Sequence, residues 1–145
     1  MQFDNSFAVA KPIDEVWATM VDLERVVPAV PDAKVLERTS DASVTAEIKI
    51  RLGSMSMNYS GPAEIVERDD AAHRAVLKAR AKEAGGQGNA EASVEIQLSE
   101  AGGGTDAKLH SDVIVTGKAA QMGEGIIAAV TEAMIQQFAE NLGKM

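Results

Sequence analysis

Six runs of alternating apolar and polar residues lead into one long amphipathic stretch at the C-terminal end, and this layout limits what the chain can fold into. Period-two alternation puts every second side chain on one face of a strand. Recurrence near 3.6 puts a stripe along one face of a helix. The strand-like runs are 2–10, 43–52, 55–65, 73–83, 88–99 and 105–116, and the helical stretch is 119–142. Short connections between the later runs predict an antiparallel meander. The expected class is α+β, with one long helix laid against the sheet.

The length of 145 residues predicts a single domain over 1–145, able to bury roughly 70% of its unfolded surface. The formal net charge is -8, from 22 acidic and 14 basic residues. That balance argues against nucleic acid as a partner, because phosphates repel it. It also disfavours simple electrostatic docking on anionic lipid. Cysteine is absent, which excludes disulfides, thiolate nucleophiles and Cys-based zinc sites. The start MQFDNSF lacks the basic and apolar regions of a secretory signal, and no stretch approaches the ~20 apolar residues needed to span a bilayer. A cytoplasmic domain is the expectation.

Local patterns sharpen the layout. After the first strand, Pro12, Asp14 and Glu15 suit a helix start, and Ile13, Val16, Trp17 and Met20 share one helical face. Asp22 can cap a second short helix through Val27, stopped by Pro28 and Pro31. A Gly53-Ser54 turn of type II′ would pair Leu52 with Met55, Ile50 with Met57 and Ile48 with Tyr59, all on one face. A Gly86-Gln87 turn would pair Ala79 with Val94 inside. Outside, it would set Lys78 against Glu95 and Lys82 against Glu91. The basic run then reads as a salt-bridged solvent face. In the C-terminal stretch, Met122, Ile126, Val130, Met134, Phe138 and Leu142 recur every four residues, spanning roughly 36 Å as one helix.

Catalytic signals are few. His73 and His110 lie 37 residues apart on different strands, with His110 facing solvent by alternation and His73 near a turn. Asp69-Asp70 are adjacent and read as turn formers rather than an acid/base pair. The Gly-rich pieces at 85–88 and 102–104 do not precede helices and read as hairpin turns, not phosphate loops.

The inward positions are notable for their size. Ala46, Gly61, Ala63, Ala75, Ala79, Ala81, Ala90 and Ala92 are all small. A sheet with that face under a long helix needs either close approach by the helix or a space. Flexible Met20, Met55, Met57, Met122 and Met134 on inward faces suit a variable apolar guest. Tyr59 points inward, and its hydroxyl needs a partner: a ligand carbonyl, a backbone carbonyl or water. The apolar segment 26–31 would sit at the mouth, as a packed lid or as an exposed patch for a membrane or partner.

The opening Pro12–Trp17, with Asp14-Glu15-Val16-Trp17, Asp22-Leu23-Glu24 and Pro31-Asp32-Ala33, resembles the START-like (SRPBCC) helix-grip superfamily. Arg51-Leu52-Gly53, Gly86-Gln87-Gly88-Asn89-Ala90-Glu91-Ala92 and Gly117-Lys118-Ala119-Ala120-Gln121-Met122-Gly123 more specifically resemble the G subunit of carbon monoxide dehydrogenase, over nearly the whole chain. The resemblance implies a seven-stranded antiparallel sheet wrapped around the C-terminal helix, two short helices after strand 1, and a deep apolar cavity. It implies a non-catalytic accessory protein serving a molybdenum carbon monoxide dehydrogenase; no covalent cofactor is expected, and neither histidine has a metal-ligand partner at useful spacing, so no metal site is expected either. An isoprenoid quinone (menaquinone or ubiquinone) or a lipid is the natural guest, and the inner face of the cell membrane a natural neighbour. Two departures stand out. Pro31-Asp32-Ala33 replaces a frequent Pro-Gly-Ala, so the loop is expected to turn differently. The chain also stops soon after the helix, without the apolar C-terminal extension frequent in the family.

Combined with the inward pattern, this reading lines the cavity with Trp17, Met20 and Val30 from the first third of the chain. The sheet adds Ile48, Met57, Tyr59, Leu77, Ala79, Ala92, Val94 and Leu109, and the C-terminal stretch adds Met122, Ile126, Val130 and Met134. The alternatives are a docking protein with a filled interior, acting through residues 26–31, and, more weakly, a hydrolase or cyclase of the same fold.

Overall fold

The computed structural model describes residues 1–145. Strand β1 (Gln2–Val9) is followed by helices α1 (Ile13–Met20) and α2 (Leu23–Val26) and a 3-10 turn (Val27–Ala29). Strands β2 (Ala33–Ser40), β3 (Ser43–Leu52), β4 (Met55–Asp69), β5 (Arg74–Glu83), β6 (Asn89–Ala101) and β7 (Gly104–Val115) follow as a meander. A second 3-10 turn (Ala119–Met122) leads into α3 (Glu124–Gly143). All seven strands form one antiparallel sheet in the order β1-β7-β6-β5-β4-β3-β2. This is the helix-grip arrangement that the resemblance implies.

The Gly53-Ser54 turn has the expected register, with Leu52 opposite Met55, Ile50 opposite Met57 and Ile48 opposite Tyr59. Gly53 alone takes positive φ there, at 64°, which fits type II′. The β5–β6 hairpin differs from expectation by two residues. Ala79 faces Ala92, and Leu77 faces Val94. The loop spans 84–87, because the Glu83 amide donates to the Gly88 carbonyl and closes the ladder there. A slip of two keeps every side chain on its face, so alternation alone does not detect it. It does change the outer ion pairs, which are Arg80–Glu91 at 3.5 Å and Arg74–Glu95 at 3.2 Å.

Three further differences have local causes. β2 is an edge strand whose alternation is broken by irregularities between Val35 and Glu37 and between Arg38 and Ser40, so it escapes a period-two reading. A register shift between Ile65 and Glu67 likewise hides the last third of β4. The single helix expected over 119–142 is interrupted at Gly123, whose φ of 87° is left-handed, so Met122 stands on the preceding 3-10 turn. Asp32 has φ 60°. This is left-handed backbone, which glycine adopts with less strain than aspartate.

The helix α3 lies against β1 on one side and against β3 and the first 3-10 turn on the other, and only lightly against the strands between them. Its C-terminal half closes the main core. Phe138 packs edge-on to Phe7 with ring centres 5.8 Å apart, and both join Ile13, Val16, Trp17 and Met20 of α1 and Leu98 and Leu109 of the sheet. A second, smaller core of Leu52, Met57, Tyr59 and Ala119 sits apart from it, with Met122 and Val130 packed against it.

Two glycines lock the region of this smaller core. A Cβ on Gly88 would meet the Thr116 carbonyl oxygen at 2.1 Å, and one on Gly117 would meet the Gln87 carbonyl oxygen at 2.0 Å. Both have positive φ, at 120° and 79°. The Lys118 amide donates to Gln87 O at 2.9 Å across this contact. The two sequence motifs around Gly88 and Gly117 are thus a single interlocked backbone crossing. Gly88→Ala or Gly117→Ala is expected to cost at least about 2 kcal/mol, read as a lowered thermal midpoint. Gly125→Ala, inside α3 with open space around its Cα, is expected to stabilise by up to about 1 kcal/mol.

Candidate ligand-binding site

Cross-strand neighbours on the inner face build a trough of small side chains. Ala63 pairs with Ala79, Ala79 with Ala92, and Ala92 with Val113. One pleat along, Ala81 pairs with Ala90, and Ala90 with Val115. These residues lie on the inner face and stay partly accessible, with Ala63 packed against the main core and Ala81, Ala90 and Val115 against the smaller one. Ala79 and Ala92 belong to neither core. Beside the trough, a groove of about 270 Å3 runs between β3 and α3, with Pro31, Ile50, Val130 and Met134 inside and Lys49, Arg51 and Gln137 among its walls.

Tyr59 lies at the glycine-locked end. It is only 3% exposed, and its hydroxyl is buried without a hydrogen-bond partner. Such a group costs about 1–3 kcal/mol when left unpaired. Burial, and then the charge of the neighbouring Glu83, pushes its pKa up, so it keeps its proton. Glu83 is opposite Tyr59 in the β4–β5 ladder. Its carboxylate accepts from the Asn58 amide at 2.8 Å and from the Gly85 amide at 2.6 Å. These backbone donors, Asn58 first, hold its pKa below the usual carboxylate value. Sequence reasoning misses Glu83 as a site residue. The available signal is a charged side chain at an inward position of an alternating strand.

The fifteen residues expected to line one cavity divide by layer. Trp17, Met20 and Leu109 belong to the main core, with Val30, Leu77 and Val94 packed against it. The Trp17 indole N–H donates to Asp70 Oδ1 at 2.9 Å, and its ring meets His73 edge-on. Met57 and Tyr59 belong to the smaller core, with Ile48, Met122 and Val130 packed against it. Ala79 and Ala92 lie in the trough between, and Met134 lies in the β3–α3 groove. Ile126 is the correction. It is 44% exposed, because α3 begins only at Glu124 and its first turn points this side chain outward while Ile127 beside it is buried.

The apolar segment 26–31 is packed down. Val26 and Ala29 are buried, Val27 and Val30 rest on the main core, and the Asn141 side-chain amide donates to the Ala29 carbonyl at 2.8 Å. Pro28 is exposed, and Val27, Val30 and Pro31 stay partly accessible.

His110 is on the outer face, as alternation predicts, where Nδ1 lies 2.7 Å from Asp4 Oδ1. That bond, helped by Asp112 and Glu95, raises its pKa above 6.5. A raised histidine pKa stabilises the fold fully below the unfolded value, and this contribution is lost as pH rises through the folded value. Asp4→Asn is expected to lower the His110 pKa in an NMR titration and to flatten this part of the stability profile. An unchanged titration would remove the pair from the account. A groove of about 440 Å3 on the same strands is lined by charged and polar groups including Asp4, Glu95, Lys108 and His110, unlike the inner trough.

Several solved structures share this fold. A conserved protein from Geobacillus kaustophilus is similar at TM-score 0.87 and 19% identity, covering 99% of this chain and 93% of that one. The Zhui aromatase/cyclase from Streptomyces sp. R1128 matches at TM-score 0.67 and 13% identity, covering 99% and 92%. A START superfamily protein from Mycobacterium smegmatis matches at TM-score 0.66 and 11% identity, covering 99% and 94%. At such identities these likenesses establish the fold alone. No curated protein matches the sequence. The family model of the carbon monoxide dehydrogenase G subunit (CoxG) matches residues 6–145, and the chain belongs to that family.

Proposed function

We propose that this chain is a non-catalytic accessory protein that carries an apolar molecule between its sheet and α3. The guest is an isoprenoid quinone or a lipid. The carrier would serve a molybdenum carbon monoxide dehydrogenase by linking it to the membrane respiratory chain. The observation that carries the reading is the alanine trough: cross-strand methyl groups on the inner face of β4, β5 and β6 that stay partly accessible. Membership of the CoxG family supports the choice of partner. No helix is long and apolar enough to cross a membrane.

A carrier also suits the polar groups present. Acid/base chemistry needs a group free to exchange a proton with the substrate. Both oxygens of Glu83 are already held by backbone amides, and the Tyr59 hydroxyl remains protonated. The START-like fold supports binding as well as catalysis, and these side chains favour binding.

Replacing Ala79 or Ala92 by Trp would fill the trough at its centre. Each variant is expected to retain the fold by circular dichroism while its affinity for decylubiquinone falls about tenfold or more, the equivalent of roughly 1.4 kcal/mol. Undiminished binding in a folded Trp variant would sink the assignment of the trough as the site.

A further inference from the structure

We propose that Tyr59 is the contact for the head group of the guest, and that Tyr59 and Glu83 together select a neutral carbonyl over an anionic head on the same apolar tail. The inference rests on the carrier reading above and adds to it the chemistry and the direction of the bound molecule.

The hydroxyl of Tyr59 is sealed from water among Leu52, Met57 and Ala119, and no protein acceptor lies within bonding distance. Buried hydroxyls are normally paired, so an unpaired one marks a place where an acceptor is missing. Backbone groups of β4 are committed to the ladders with β3 and β5, and Glu83 is turned to the Asn58 and Gly85 amides. The missing acceptor would therefore come from outside the chain. Met57 belongs to this core and Met122 and Val130 pack against it, so flexible thioethers are available to give way to a guest.

Glu83 sets the sign of the head group. Its two amide bonds fix it as an anion one cross-strand position from Tyr59. A carboxylate or phosphate brought to the hydroxyl would place a second negative charge beside it in apolar surroundings, where repulsion is poorly screened. A ketone or quinone carbonyl accepts the same hydrogen bond without that charge. The head then lies at the glycine-locked end, and the tail extends along Ala81, Ala90, Ala79 and Ala92.

Farnesylacetone and farnesylacetic acid share a tail and differ in a methyl ketone against a carboxylic acid, so they isolate the head group. In calorimetric titrations at pH 7.5, the ketone is expected to bind about tenfold or more tighter than the acid. Tyr59→Phe is expected to weaken the ketone about five- to tenfold and to leave the acid unchanged. Equal affinities of the native protein for ketone and acid would overturn the proposal without any variant. So would undiminished ketone binding by folded Tyr59→Phe. Uptake of decylubiquinone without uptake of the ketone would overturn the head-group selection and leave the carrier reading standing. Failure to bind any of the three compounds would overturn both.

Discussion

A helix about 10–12 Å across cannot touch β1 and β3 at once unless the sheet bends around it. Five strand spacings separate these two strands in the sheet order, about 24 Å if the sheet were flat. The contacts of α3 with both therefore require a curled sheet. Curling alone does not fill the interior. The middle strands carry alanine on their inner face, and Ala63, Ala79, Ala81, Ala90 and Ala92 are only partly buried there. The result is two cores, a large one around α1 and the end of α3 and a small one around Tyr59, with an uncovered trough between them.

The smaller core depends on backbone geometry as much as on side chains. Gly88 and Gly117 permit the β5–β6 loop and the segment after β7 to cross at a distance no Cβ allows. That crossing seats Ala119 beneath Tyr59, and Glu83 ties the same loop to β4 through Asn58. The region combines a close backbone crossing with the unbranched side chains of Met57 and Met122.

Most of the fold is legible in the sequence because alternation reports which face a side chain takes. The Gly53-Ser54 hairpin is fully specified, since a two-residue turn fixes register as well as face. The β5–β6 hairpin is not, because a four-residue loop leaves the face pattern unchanged under a shift of two. Gly123 stops a helix that periodicity alone would continue, and Asp32 holds a left-handed turn that its side chain does not announce. For the site, the small inward residues are readable in advance. Their height in the interior is not, so Trp17 and Leu109, which are core, group by pattern with Ala79 and Ala92, which are trough. Glu83 escapes notice because its partners are backbone amides that only the folded loop brings together.

The central claim is that the space between the sheet and α3 holds an apolar molecule. Native mass spectrometry of the purified protein, followed by organic extraction of whatever is released, tests this directly. The account predicts one bound isoprenoid quinone or lipid per chain. A protein of bare polypeptide mass that also fails to take up added quinone or phospholipid would contradict it.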